Sequence, residues 1–191
     1  DAFAYGDPRD VRLVEWGDGL AFAVIGVVPE RRLLLEGVYG YLTLKNGVPI
    51  GYIQLDIAGR LAELSFNTFA TFRGGEAARV LGRTMAMARH VLGASAFSLE
   101  PYQLGKGNNE GIETGAWWFY YKLGFRPRMA EAKRIARREL ARLWANPAHR
   151  SSATTLRRVE KPPRSQSSRS AIATASGSIT RPSLTLPIGR S

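Results

Sequence analysis

The sequence predicts an α+β fold in which a mostly antiparallel sheet is combined with helices and followed by a disordered tail. Three observations lead to this prediction. Two extended segments are joined by Asn46-Gly47, the dipeptide that best tolerates the positive φ angles of a tight hairpin turn. A glycine-containing turn then leads into a segment with helical spacing of apolar residues. Residues 161–191 are rich in Ser, Thr, Pro and Arg, and such a composition is typical of a segment without a packed core.

The antiparallel part of the sheet is expected as a meander of three strands. Short turns separate them, because Asn46-Gly47 closes the first connection and Gly59 lies in the second. The predicted strands are residues 38–45, 48–56 and 61–69. The segment before the meander, residues 1–37, allows one assignment, a strand at residues 20–28.

Helical periodicity predicts three helices after the meander. The first follows the glycine-rich turn and ends at Gly93, and a strand at residues 94–100 then completes a strand-helix-strand unit. The second and third helices are predicted at residues 112–123 and 129–145. The chain is thereby divided into residues 1–37, a core of residues 38–127, a basic helical segment of residues 128–160 and the tail of residues 161–191.

Composition limits the classes of function. The chain has no cysteine and two histidines, so thiolate metal sites and cysteine nucleophiles are excluded and no metal centre is expected. The longest apolar run, residues 20–28, is about half the length that crosses a bilayer. We therefore expect a cytoplasmic protein that does not associate with a membrane.

The formal net charge of +11 is concentrated near the carboxyl end. Residues 146–191 contain eight Lys and Arg and one Glu, which leaves a small excess for the rest of the chain. A basic disordered tail contacts polyanions weakly and without sequence preference. The charge alone therefore indicates nonspecific polyanion contact by the tail, and a nucleic-acid-associated protein is one alternative.

The turn before the first predicted helix is the strongest candidate for a binding site. A helix amino terminus presents unpaired N–H groups and the positive end of the helix dipole, and glycines allow the backbone to approach an anion closely. The segment could hold a phosphate, or it could be a simple strand-to-helix turn. Its residues are Arg73, Gly74, Gly75, Glu76, Ala77 and Ala78.

Two motifs in this order resemble the GNAT superfamily, the acyl-CoA-dependent N-acyltransferases. Residues 73–78 are similar to the superfamily phrase R/Q-x-x-G-x-G/A at the start of a helix. Residues 116–125, AWWFYYKLGF, are similar to A-x-x-[FL]-Y-x-K-L-G-F at the end of a later helix. The resemblance covers about residues 38–127 and implies a GNAT-like mixed, mostly antiparallel sheet with helices packed on both faces.

The resemblance also implies a reaction and a set of roles. Acetyl-CoA or another acyl-CoA would be the cosubstrate, held by residues 73–78, and a primary amine would be the acceptor. Tyr120 aligns with the tyrosine proposed to protonate the leaving CoA thiolate. Backbone N–H groups of Asn67, Thr68 and Phe69 would polarise the thioester carbonyl.

The base that removes the amine proton is sought among the carboxylates. Alternation along the third strand places Glu63, Ser65 and Asn67 on one face, so Glu63 is the candidate base, although a solvent-facing strand carboxylate would give the same pattern. Glu100 is the reserve candidate. His90 is interpreted as a helix-end surface residue, and His149 is placed outside the core.

Two departures from the superfamily pattern keep a second hypothesis open. Glu76 stands where the pattern has a glycine, and Glu113 stands where an asparagine is common. These carboxylates favour a catalytically silent GNAT-like module that binds CoA or a partner within a larger protein, whereas Tyr120 favours an enzyme. The third hypothesis is the nucleic-acid-associated protein described above.

Overall fold

Five consecutive strands precede the candidate phosphate turn, which connects the fifth strand to the first α-helix. A computed structural model describes residues 2–72, 74, 76–159, 171–174 and 183–184. The chain divides into two compact units. The first comprises Asp1–Phe97 with a short carboxyl-terminal strand, and the second comprises Ser98–Thr174. Within the described residues, no helix is long and apolar enough to cross a membrane.

The first unit is built on a mostly antiparallel sheet. Adjacent strands follow one another along the chain, and each pair from the first strand to the fifth is antiparallel. The short strand β9 (Ser183–Leu184) pairs with the first strand. The six main strands are β1 (Gly6–Gly17), β2 (Leu20–Val27), β3 (Glu36–Lys45), β4 (Val48–Ala58), β5 (Leu61–Thr68) and β6 (Ala96–Leu99).

Turn chemistry explains the register of the central hairpin. Asn46 and Gly47 have φ angles of 49° and 79°, and two positive φ angles are what a two-residue hairpin turn requires. Lys45 consequently pairs with Val48. Gly59, with φ of 60°, reverses the chain between β4 and β5. The meander predicted from the sequence is confirmed. The strand predicted at residues 20–28 is also confirmed, as β2.

Helix α1 (Ala77–Leu92) connects β5 to β6. Its buried face follows helical spacing, and Gly93 ends it in the left-handed conformation, with φ of 69°. The N–H groups of Ser95 and Ala96 then donate to the Arg60 carbonyl, so β6 begins beside the start of β5 and the two strands run in the same direction. The buried residues of α1 are Val80, Leu81, Thr84, Ala86, Met87 and Ala88.

The second unit is mainly helical. The α-helices among its described residues are α2 (Asn109–Glu113), α3 (Ala116–Lys122), α4 (Ala130–Ala145) and α5 (Ala153–Val159). Strands β7 (Arg126–Pro127) and β8 (Ala171–Thr174) form an antiparallel pair. Helix α4 confirms the predicted third helix, and an ion pair between Arg158 and Glu131 at 3.0 Å connects α5 to α4.

Two features of the chain organisation differ from what the sequence predicted. The single helix expected at residues 112–123 is wrong, because Gly115 has φ of 68° and separates α2 from α3. Strand β1, which joins the same sheet as β2, was not predicted from the sequence. Two segments of the predicted tail, residues 171–174 and 183–184, lie among the described residues and form β8 and β9. The other residues of the predicted tail lie outside the described residues.

Candidate functional site

The amino terminus of α1 is open to an anion. Glu76 occupies the N-cap position, no side chain caps the helix, and its first turn contains no acidic residue. The N–H of Ala77 donates to the Gly74 carbonyl at 3.3 Å. The next two N–H groups of the turn, those of Ala78 and Arg79, have no partner within the helix, as at any helix start. The other two predicted phosphate contacts, Arg73 and Gly75, lie outside the described residues.

A small cavity lies beside this helix start. Its volume is about 60 Å³, and it is bounded by β3, β4, β5 and the first turn of α1. Thr43 lines it with a side chain that is 1% exposed, and the Thr43 Oγ1 atom has no hydrogen-bond partner among the described residues. Buried hydroxyls are nearly always hydrogen-bonded, so this atom indicates space for a further polar group. Thr68 and Ala77, both predicted site residues, also line the cavity.

Charged side chains surround the mouth of the cavity. The Glu76 carboxylate lies 3.7 Å from Lys45 Nζ and 3.9 Å from Arg79 Nη1. Arg79 also pairs with the Asp18 carboxylate, and Lys45 Nζ donates to the Asp18 carbonyl at 2.9 Å. Glu76 thus faces two cations near the helix start. Any anion bound there has to share these cations with Glu76.

The predicted catalytic strand positions lie on β5. Glu63 is half-buried and stands directly opposite Asp56, so two carboxylates share one face of the sheet. Asn67 and Thr68 stand opposite Tyr52 and Gly51 in the same ladder. One predicted role is not available in this conformation, because the Phe69 N–H donates to the Ile50 carbonyl at 3.0 Å. By the alternation of an antiparallel ladder the Asn67 N–H is also directed at β4, towards Tyr52, so Thr68 is the predicted donor whose N–H points away from β4.

Tyr120, the predicted acid, is 4% exposed and belongs to α3 in the second unit. Its hydroxyl donates to Gln103 Oε1 at 2.6 Å. Burial raises the pKa of Tyr120, because an apolar surrounding disfavours the phenolate. The hydroxyl therefore remains protonated at neutral pH, as an acid has to be. To protonate a leaving sulfur, the Tyr120 hydroxyl would have to give up its hydrogen bond to Gln103 and donate to the sulfur instead.

The run of aromatic residues in α3 is distributed around the helix. Trp117 is buried and stacks on Tyr121 with ring centroids 5.1 Å apart, so these two residues share a face of the helix. Tyr120 packs edge-on against Phe119 and Phe125 on another side. Trp118 donates from Nε1 to Ser151 Oγ at 3.0 Å. Every ring has neighbours of its own, which explains why large side chains surround the whole helix.

A buried carboxylate network in the second unit was missed from the sequence. Glu139 is 2% exposed and accepts hydrogen bonds from Arg142 at 2.8 Å and Ser151 at 2.7 Å. His149 Nε2 lies 3.0 Å from the same Glu139 Oε2, so His149, although outside the predicted core of residues 38–127, contacts a buried network. The available signal was the position of Glu139, which continues the apolar face of Ala132, Ile135 and Ala136 on α4.

The net effect of this network on Glu139 is to stabilise its charged form. Burial raises the pKa of Glu139, but hydrogen bonds from His149 and Ser151 and the charge of Arg142 lower it by more. The pKa therefore lies below its ordinary value.

The remaining candidates lie at the surface. Glu100 and Glu113 are exposed, and His90 is exposed in the last turn of α1, as predicted for a helix-end residue. The described residues contain no group of three or more His, Asp or Glu side chains arranged to hold a metal ion. A scan against models of known protein families and a search of curated proteins both find no match to this chain.

Proposed function

We propose that this protein is a GNAT-like N-acyltransferase, which moves an acyl group, in the simplest case acetyl, from acyl-CoA to a primary amine. One observation carries the proposal. An uncapped helix start adjoins a cavity in which the buried Thr43 Oγ1 has no hydrogen-bond partner among the described residues, and Lys45 and Arg79 both contact Glu76 at that helix start. Such a helix start favours a phosphate group of CoA, since its N–H groups and dipole both attract negative charge.

The reaction needs few groups beyond this anion site. Glu63, directly or through a water molecule, accepts a proton from the amine, and the amine nitrogen attacks the thioester carbon. The backbone N–H of Thr68, which points away from β4, polarises the carbonyl oxygen. The C–N bond forms, the C–S bond breaks, and the Tyr120 hydroxyl protonates the departing thiolate. These roles follow the superfamily resemblance and agree with the protonation state that burial gives Tyr120.

A catalytically silent CoA-binding module is the second candidate. Two observations favour it: Glu76 already pairs with Lys45 and Arg79, and the Phe69 N–H is already bonded to Ile50. The first reduces the positive charge available to a phosphate, and the second removes one donor for the thioester oxygen. Such a module would bind CoA without turnover.

An assay of released thiol distinguishes the two candidates. The chain contains no cysteine, so a thiol-reactive chromophore reports only free CoA and gives no background from the protein. Acetyl-CoA should be incubated with the protein and a panel of amino acids, polyamines, aminoglycosides and peptides with free amino groups. Amine-dependent release of thiol is expected for the enzyme. If acetyl-CoA binds but no amine of the panel causes release of thiol, the silent module is favoured over the enzyme.

Glu76→Gln is expected to tighten acyl-CoA binding roughly fivefold, because it removes a carboxylate beside the phosphates and leaves Lys45 and Arg79 for the ligand. Titration calorimetry against wild type measures the change. Glu15→Gln, which removes an equally exposed charge from β1 in the same unit, is the matched control and should bind as wild type does. Weaker binding by Glu76→Gln would place Glu76 among the groups that help to hold the ligand.

A further inference from the structure

A groove of about 840 Å³ lies in the second unit, between α3 and the end of α4. Its apolar walls are formed by Trp118, Phe119, Tyr121, Leu140, Leu143 and Trp144. Three cationic side chains also line it: Lys122, Arg126 and Arg150. We name this surface the aromatic groove. It contains none of the residues to which the proposed acyl transfer assigns a role.

The rings of the aromatic groove differ in how much of each remains accessible. Tyr121 is covered on both faces, by Trp117 at 5.1 Å and by the Arg126 guanidinium at 3.9 Å from the ring centroid. Trp118 is held by its hydrogen bond to Ser151. Trp144, in contrast, is 85% exposed, and no described ring packs against it. Its indole is therefore the ring that a flat ligand can cover.

The cations of the groove have no carboxylate partner among the described residues. Arg126 donates to the carbonyls of Tyr121 and Phe125, and Arg150 donates to those of Pro147 and His149. Bonds to neutral carbonyls leave their positive charge unneutralised. Glu139, which contacts the groove residues His149 and Ser151, is buried and already accepts from Arg142 and Ser151. The groove consequently combines an exposed indole with uncompensated positive charge.

We propose that the aromatic groove binds single-stranded nucleic acid. A base would stack on Trp144, and successive phosphates would contact Lys122, Arg126 and Arg150, the pairing of aromatic platform and cations by which single strands are held without sequence preference. The volume lies near the upper end of small-molecule sites, so it admits more than one base. A duplex does not fit this arrangement, because its base faces are stacked on one another.

Fluorescence anisotropy of a labelled octauridylate, titrated with the full chain, tests the proposal. Trp144→Ala is expected to weaken binding about tenfold, and Trp144→Phe, which keeps a ring, should restore most of the affinity. Three phosphate contacts correspond to a slope of about −2 in log K against log salt concentration. The double variant Lys122→Ala/Arg150→Ala should reduce the magnitude of that slope by about 1.4.

The matched control separates the groove from the overall charge of the chain. Arg128→Ala/Arg134→Ala removes the same two charges from exposed positions of the same unit outside the groove, and it should change the affinity much less. Equal losses in the two double variants, or unchanged affinity in Trp144→Ala, would overturn the proposal in favour of nonspecific polyanion contact. Tighter binding of heparin or of a duplex of equal charge would overturn it as well. So would an absence of octauridylate binding.

Discussion

Replacing Glu139 with leucine is expected to lower the free energy of unfolding by about 3 kcal/mol. The carboxylate is buried and accepts hydrogen bonds from Arg142 and Ser151, while His149 lies within hydrogen-bond distance. Leucine fills a similar volume but removes the acceptor of the part-buried Ser151 and His149, and a donor left unsatisfied away from water costs more than the bond contributed, whereas the exposed Arg142 can turn to solvent. Chemical denaturation followed by circular dichroism gives the difference.

Glu131→Leu is the control for this substitution. Glu131 lies on the same helix and pairs with Arg158 at 3.0 Å, but it is exposed, and exposed pairs contribute at most about 1 kcal/mol. A loss of stability no larger for Glu139→Leu than for Glu131→Leu would show that the buried network is energetically neutral.

The contribution of Glu139 to the free energy of unfolding should also depend on pH. Its pKa is lowered in the folded protein, so the unfolded chain binds the proton more tightly. The stabilisation is therefore fully present above the pKa of an unfolded glutamate, about 4.3, and is lost as the pH falls through the lower, folded value. The stability difference between wild type and Glu139→Leu should be constant from pH 6 to 7 and should shrink below about pH 4.

Tyr120→Phe is expected to reduce turnover roughly 100-fold or more, if the protein transfers acyl groups as proposed. The substitution removes the hydroxyl that would protonate the thiolate and keeps the ring that packs against Phe119 and Phe125. Binding of acyl-CoA should change little. The Gln103 acceptor loses its donor, so the fold of the variant should be verified by its melting temperature.

Tyr121→Phe provides the comparison, because it removes the neighbouring hydroxyl and leaves a ring of nearly the same size. Its turnover should equal that of wild type. Equal turnover in Tyr120→Phe would remove this residue from the mechanism. A parallel loss of turnover and of acyl-CoA affinity would instead assign Tyr120 to binding.

Local signals in the sequence predicted the central fold, because the chemistry that decides it is local. Asn46-Gly47 fixes a hairpin by its own backbone preferences, and Gly93 ends α1 in the same way. Gly115 shows the limit of such signals. Many helices tolerate a glycine within an apolar periodic segment, so no signal in the sequence indicated the end of a helix there. In the structure Gly115 has positive φ and divides the predicted helix into two. β1 was missed because Pro8, Gly6 and several charged residues interrupt its alternation.

The candidate site depends on contacts that are distant in sequence. Position alone indicated the helix start at Glu76, because a strand, glycines and a helix follow one another there. The contacts of Glu76 with Lys45 and of Arg79 with Asp18 result from the packing of the sheet. No spacing in the sequence indicated them. Thr43, whose hydroxyl has no hydrogen-bond partner among the described residues, likewise resembles an ordinary strand residue in the sequence. In contrast, Glu139 broke the apolar face of α4 and could have been found from its spacing.

Calorimetric titration of acetyl-CoA into wild type and Gly74→Val tests the central claim most directly. A Cβ atom at Gly74 meets no protein atom within 4 Å and the residue is not at positive φ, so valine should leave the fold intact while blocking close approach of a phosphate to the backbone. Gly82→Val, at an equally open position on α1, is the control. The account predicts saturable binding by wild type and Gly82→Val, with a dissociation constant of about 1 mM or less, and none by Gly74→Val. No binding by wild type, or unchanged binding by Gly74→Val, would contradict it.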